Sequence, residues 1–278
     1  MSAPSHTTGE ANAPFDFPHA ASVLTDAAAR AGAAIMQHYH EGPEVSLKAD
    51  ASPVTAADRA AEAILLEALK SLAPLIPIVS EEDAGDRSKP LPSRFFLVDP
   101  LDGTKEFIQK RTDFTVNVAL IEDCIPRFGL VYAPARKLLA VTVGNGKAVE
   151  AVLEPSTTGA DLGKLERHEL RVRIPSPKGL VAVVSRSHLD PETESFLSGL
   201  KIASWSDAGS SLKFLLVASG QADVYPRFGP TMEWDIAAGD AVLRAAGGRV
   251  VDGSGQPFRY GKTDSGLKNA SFIAWGSG

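Results

Sequence analysis

The hydrophobic pattern changes period along the chain. From His19 to His40 the alanine-rich segment places Val23, Ala27, Ala31 and Ile35 at helical spacing, which predicts a first long helix. After the looser "EGPEVSLKADASP", the segment "TAADRAAEAILLEALKSL" opens with Thr55-x-x-Asp58 in the manner of a capping box and lines Ile64, Leu65, Leu69 and Leu72 along one face. Asp58 thereby falls in the first turn of a second helix. The period then shortens. "LIPIVS" and "FFLVD" read as buried strands, and "FTVNVALIE", "RFGLVYAP", "LLAVTVG" and "KAVEAVL" alternate like an antiparallel sheet.

Residues 154–178 are rich in Pro, Gly, Thr and charge, and the domain boundary is expected there. Beyond it, strands "GLVAVVS", "ADVYPR", "RVVD" and "SFIAW" alternate with helices "PETESFLSGL", "SSLKFLLVASG" and "MEWDIAAGDAVLRAAGG". The expected organisation is a disordered tail over 1–18, an α+β domain over 19–176 and an α/β domain over 177–278, with no internal repeat. Composition adds bounds. With 278 residues, 44% hydrophobic, the chain can bury full cores, and its formal net charge of −6 gives no basic face for a nucleic-acid polymer. No stretch approaches the ~18 apolar residues of a membrane span, and residues 1–18 lack the features of a signal peptide. The single cysteine, Cys124, forms no intrachain disulfide. A cytoplasmic protein, monomer or homodimer, is the expectation.

The chemistry is concentrated in "FFLVDPLDGTKEF" (95–107), where a buried strand empties Asp99 and Asp102 into one bend. An Asp-Pro-Asp-Gly turn alone is unremarkable. Here Glu81 ends the neighbouring apolar strand, while Asp58 and Asp235 open helices. Carboxylates converging from strand ends and helix starts repel one another unless cations intervene, and hard divalent ions with oxygen ligands are the usual resolution. "DGTKEF" also reads as the start of a short helix, whose free N–H groups favour a phosphate. Cations on one side and N–H groups on the other describe a phosphoryl-transfer site with metal-activated water. Two residues separate the aspartates, where haloacid-dehalogenase-type enzymes have one. That spacing argues against a covalent aspartyl-phosphate.

Four segments, "VTAAD" (54–58), "PIVSEED" (77–83), "VDPLDGTKEF" (98–107) and "WDIAAGDAVLRAAGG" (234–248), resemble the signature blocks of the inositol-monophosphatase superfamily of Mg²⁺-dependent, lithium-sensitive phosphatases. Within it, "DGTKEF", "SRSH" (185–188), "GSSLKF" (209–214) and "YPRFGPTMEWD" (225–235) are most similar to the CysQ-type 3′(2′),5′-bisphosphate nucleotidases. The resemblance implies a mixed α/β fold, the αβαβα layered sandwich shared with fructose-1,6-bisphosphatase. It implies Mg²⁺-dependent hydrolysis of 3′-phosphoadenosine 5′-phosphate, and of its sulfated form, in sulfur metabolism. An inositol or sugar-bisphosphate phosphatase with the same metal mechanism is the alternative. By the same resemblance, Glu81, Asp99, the Leu101 carbonyl, Asp102 and Asp235 hold two or three Mg²⁺ ions. Asp58 and Thr104, with Glu81, act on the attacking water, and Asp58 at its helix start is expected to stay ionised. Glu81, Leu101, Asp102, Gly103, Thr104, His188, Ser210, Lys213, Arg227 and Asp235 contact substrate. Ser210 and Lys213 are expected to share a helix face. Arg227 presents a planar fork to a second phosphate.

Overall fold

The computed structural model describes residues 14–42, 45–47, 53–82, 86, 88–157, 159–185 and 190–277. Helix α1 (Phe17–Glu41) begins inside the expected tail, because the Asp16 side chain accepts from the His19 N–H and Pro18 fits the first turn. Phe15 packs its ring on Phe96 and Phe128, which ties residues before the helix to the core. A short hairpin, β1 (Val45–Leu47) and β2 (Pro53–Thr55), leads into α2 (Ala56–Leu72), where Thr55 and Asp58 form the expected capping box.

Seven strands then lie side by side in chain order: β3 (Ile78–Ser80), β4 (Arg94–Asp102), β5 (Thr115–Glu122), β6 (Ile125–Ala133), β7 (Leu138–Gly144), β8 (Lys147–Val152) and β9 (Arg167–Glu169). Only β3 and β4 are parallel; the other pairs are antiparallel. Helix α3 (Thr104–Ile108) interrupts the path from β4 to β5. The segment read as a linker is partly structured, since α4 (Gly159–Leu162) and the edge strand β9 form within it.

A second sheet carries the order β11-β10-β12-β16-β14. Its strands are β10 (Leu180–Ser185), β11 (Ile202–Ala208), β12 (Val224–Arg227), β14 (Arg249–Asp252) and β16 (Phe272–Trp275). Helices α5 (Pro191–Ser198), α6 (Leu212–Ala218) and α7 (Glu233–Ala245) intervene, and β13 (Thr231–Met232) pairs with β15 (Lys268–Asn269). Strand β11, "IASWSDA", has no place in the sequence reading: five of its seven side chains are small or acidic, and most lie exposed at a sheet edge.

Strand alternation sorts the side chains into layers. On the large sheet, Phe96, Val98, Val118, Leu120, Leu130 and Tyr132 pack under α1 and α2, while Phe95, Leu97, Ala119, Ile121 and Val131 face α6 and α7. On the smaller sheet, Val183, Tyr225, Val250 and Phe272 meet the same two helices from the other side, and Ala182, Val224 and Ile273 turn toward Leu197 of α5. The result is five layers, αβαβα. The middle pair of helices shares one core with both sheets, so the motifs of the two halves meet where α6 and α7 begin.

Candidate active site

A strand places residues three apart on opposite faces, so Asp99 and Asp102 should diverge. The β4–β5 register resolves this: Asp99 lies opposite Asn117 and Asp102 opposite Thr115, three steps on one strand against two on the other. Pro100-Leu101 is a bulge, and its extra residue returns both carboxylates to one side. Glu81, one residue beyond β3, extends the parallel pairing through its N–H to the Val98 carbonyl (3.0 Å) and reaches Asp99, with which it shares a hydrogen bond. Asp235 arrives from the first turn of α7, its carboxylate accepting the Met232 N–H at 2.7 Å.

Glu81, Asp102, Thr104, Ser210, Lys213, Arg227 and Asp235 line one cavity of about 260 Å³, with Asp99 buried behind them. Burial pushes the Asp99 and Asp235 carboxyls well above the ordinary range, and neighbouring carboxylates push in the same direction. Asp102 is pushed up to about 6 by burial, a rise limited by the hydrogen bond from Ser210 Oγ (2.6 Å) and the charge of Lys213. Such mutual frustration is what a bound cation relieves. Among the described residues, no group of three or more Asp, Glu, His or Cys side chains stands gathered closely enough to hold a metal ion as they are. The three aspartates are turned instead to protein donors: the Leu101 N–H for Asp99 (3.0 Å), Ser210 for Asp102, Met232 for Asp235. The donor set, carboxylates and a carbonyl with no sulfur or imidazole, nevertheless fits a hard divalent ion such as Mg²⁺ in its chemistry.

Beside the acids, the Thr104 hydroxyl lies 3.4 Å from Asp58 Oδ1 and 3.3 Å from the Leu101 carbonyl. Asp58 Oδ2 is occupied by the N–H (2.8 Å) and hydroxyl (2.6 Å) of Thr55. The capping box thus aims the other oxygen at Thr104. Burial raises the proton affinity of Asp58, against the Thr55 hydrogen bonds that lower it. Gly103, at φ +91° in the left-handed region, begins α3 with no side-chain cap, and Gly103, Thr104 and Lys105 line the cavity.

The cationic wall differs from expectation in one respect. Ser210 is not on a helix: α6 starts at Leu212, and Ser210 has φ +51° in the turn before it. That turn brings the two residues together, for Lys213 Nζ donates to the Ser210 carbonyl at 2.6 Å. Lys213 is 4% exposed, stacks over the Tyr225 ring, and is lowered to about 8 chiefly by burial. Arg227 ends β12, is 8% exposed, and donates to the Pro230 carbonyl at 3.3 Å. His188 lies outside the described residues. Lys105, Ser185, Tyr225 and Thr231 also line the cavity and escaped the sequence reading, although Lys105 sits inside the "DGTKEF" motif.

With this geometry in place, comparison with known proteins is informative. The model of the inositol monophosphatase family matches residues 19–274. The 3′(2′),5′-bisphosphate nucleotidase CysQ of Escherichia coli (strain K12) is 45% identical over 241 residues, covering 86% of this chain and 92% of that protein. Its namesake in Buchnera aphidicola subsp. Acyrthosiphon pisum (strain APS) is 37% identical over 236 residues, 83% of each. The crystal structure of CysQ from Bacteroides thetaiotaomicron superposes with a TM-score of 0.77 at 38% identity, covering 95% of this chain and 100% of that one. Matched across nearly its whole described length in sequence and in layering, the chain belongs to the inositol monophosphatase family.

Proposed function

We propose that the chain is a 3′(2′),5′-bisphosphate nucleotidase, a phosphoric monoester hydrolase that releases the 3′-phosphate of 3′-phosphoadenosine 5′-phosphate, giving AMP and phosphate. The observation that carries this reading is the two-sided cavity: a carboxylate wall of Glu81, Asp102 and Asp235 with Asp99 behind it, facing the buried cations Lys213 and Arg227. A metal phosphatase for simple monoesters needs only the first wall. Two cations buried beside the cavity offer charge-assisted contacts that a second, non-reacting phosphate can accept. The 45% identity to a protein named for this activity points the same way.

Glu81, Asp99, the Leu101 carbonyl, Asp102 and Asp235 would hold two or three Mg²⁺ ions, which when bound supply Lewis acidity toward phosphoryl oxygens and a more acidic water. The chain's own groups do the rest. Thr104 Oγ accepts from the attacking water and passes its own proton toward Asp58 Oδ1, whose raised affinity suits a base. Thr55 keeps Asp58 from rotating away. Glu81 would serve both as a ligand and as a carboxylate beside the attacking water. The N–H groups that open α3, from Gly103 and Thr104, receive phosphate oxygens. The sulfated nucleotide, 3′-phosphoadenylyl sulfate, carries the same 3′-phosphate and belongs to the same substrate class, which places the proposed role in sulfur metabolism in the cytoplasm. Among the described residues no helix is long and apolar enough to cross a membrane.

The test is phosphate release with Mg²⁺ from 3′-phosphoadenosine 5′-phosphate, its sulfated form, 3′-AMP, inositol 1-phosphate and fructose 1,6-bisphosphate. The bisphosphate nucleotides are expected to lead in kcat/KM by roughly tenfold or more, the worth of one charge-assisted contact. A lead for inositol 1-phosphate or the sugar bisphosphate would replace the substrate and keep the mechanism.

A further inference from the structure

Asp113 is a carboxylate with no exposed surface and no task in the chemistry above. It stands two residues before β5. One of its oxygens accepts from the backbone N–H of Gly209 at 2.9 Å, and the other accepts from the guanidinium of Arg136. Gly209 comes from the C-terminal half, and it is seated so closely that a side chain there would put its Cβ 2.7 Å from Asp113 Cβ and 2.9 Å from the Asp113 carbonyl oxygen. The next residue is Ser210, held at φ +51° where a side-chain-bearing residue is strained unless its surroundings fix it. From that backbone its hydroxyl reaches Asp102 and its carbonyl receives Lys213. A second set of contacts follows immediately: the Thr115 hydroxyl meets those of Ser210 and Ser211, and Ser211 donates to Asn117 at 2.7 Å.

We propose that Asp113 is a positioning residue for the substrate side of the cavity: by anchoring the Gly209 amide it fixes the left-handed Ser210, and so presents Ser210 and Lys213 to a bound bisphosphate nucleotide. The proposal rests on the substrate reading above. A carboxylate suits the position because both oxygens must accept, one from a peptide N–H and one from a guanidinium. Asparagine would turn one acceptor into a donor and set it against a donor. Arg136, whose side chain is 44% exposed, offsets the buried charge from the surface without entering the cavity. The path from Asp113 runs through Gly209 to Ser210 and Lys213, on the cationic side of the cavity, so its effect falls on binding rather than on activation of water.

The experiment compares wild type, Asp113→Asn and Arg136→Gln as full-length proteins with Mg²⁺, on 3′-phosphoadenosine 5′-phosphate and on 3′-AMP, with the folded fraction measured by circular dichroism. Asp113→Asn is expected to raise KM for the bisphosphate roughly tenfold with kcat little changed, and to leave kcat/KM for 3′-AMP within about threefold, the pattern of a lost ground-state contact. Arg136→Gln should move the same ratio in the same direction, less far. If Asp113→Asn does not fold, Arg136→Gln decides by that ratio. Equal losses on both substrates, or lowered stability with unchanged constants, would make Asp113 a purely structural residue and overturn the inference. A wild type that does not favour the bisphosphate removes the substrate reading and this inference together; one that does, with variants that keep its ratio, removes the inference alone.

Discussion

Metal-free protein should lose stability as pH rises, against the habit of acidic proteins. Asp102 has a carboxyl raised from 3.8 to about 6 in the fold, so between those values the native state binds more protons than the unfolded one. Stability is then greatest below pH 4 with respect to this group and declines as pH passes through about 6. The full displacement corresponds to about 3 kcal/mol. Asp102 faces an open cavity, and screening by water leaves roughly 1–2 kcal/mol of it. Asp99 and Asp235, raised well above the ordinary range by burial and by the charges of Glu81 and Asp102, extend the decline to higher pH. Asp190 and Asp223 are lowered instead, so their opposite influence falls in acid, below the window. The assay is a melting curve in chelator at pH 5, 6, 7 and 8 and constant ionic strength. About half of the Asp102 effect lies below pH 5, so a fall in Tm of roughly 1–4 °C from this group is expected between pH 5 and 8, given about 2–4 °C per kcal/mol for a chain of this size. Mg²⁺ at about a hundred times its Kd should add about 2.7 kcal/mol and flatten the profile. Asp99→Asn should also flatten it in chelator, while abolishing activity. A metal-free Tm that is level or rising from pH 5 to 8, or that Mg²⁺ does not move, would refute the repelling-carboxylate argument.

Three further outcomes are expected. Thr104→Ala and Asp58→Asn should each lower kcat by ~10²–10⁴ with smaller effects on KM, and the double variant should be little worse than the poorer single, because they form one relay; additive losses would separate them. Arg227→Ala should reduce kcat/KM for 3′-phosphoadenosine 5′-phosphate by roughly tenfold to a hundredfold and for 3′-AMP far less, and equal losses would remove Arg227 from the second phosphate. Lys213, at about 8, is cationic below that pH and neutral above it, so KM for the bisphosphate should rise on the alkaline side; Lys213→Arg should shift that limb upward, and an unmoved limb would assign it to another group.

The layers and the acidic residues were legible because they rest on local rules. Alternation in "FTVNVALIE" names the two faces of β5, and Thr55-x-x-Asp58 names the cap of α2. What escaped depends on pairing across distance. Nothing in "VDPLDG" reveals that Asp99 and Asp102 face opposite residues only two apart, yet this alone puts both carboxylates on one side. Helical spacing brought Ser210 and Lys213 together on paper; the structure does so with a left-handed turn held by Asp113 and Thr115, about ninety-five positions earlier in the chain. Lys213 reads as an ordinary surface cation within "LKFLL", and its burial against Tyr225 follows only from the position of α6 between two sheets.

The charge balance of the cavity explains how an acidic chain can take a polyanionic substrate. With all groups ionised, Glu81, Asp99, Asp102 and Asp235 exceed Lys213 and Arg227 by two negative charges, and a bisphosphate nucleotide with about −1.5 to −2 on each terminal phosphate would be repelled. Two divalent ions would reverse the excess to two positive charges, and three would raise it to four, comparable with the charge of the substrate. Metal and substrate binding are therefore coupled by electrostatics before any ligand geometry is considered. The two cationic side chains serve a different end. Held by the fold rather than by exchangeable ions, they stay at fixed distance from the acids, and under the proposed function they would distinguish a substrate with a second phosphate from one without, which the mobile charges of bound ions do not.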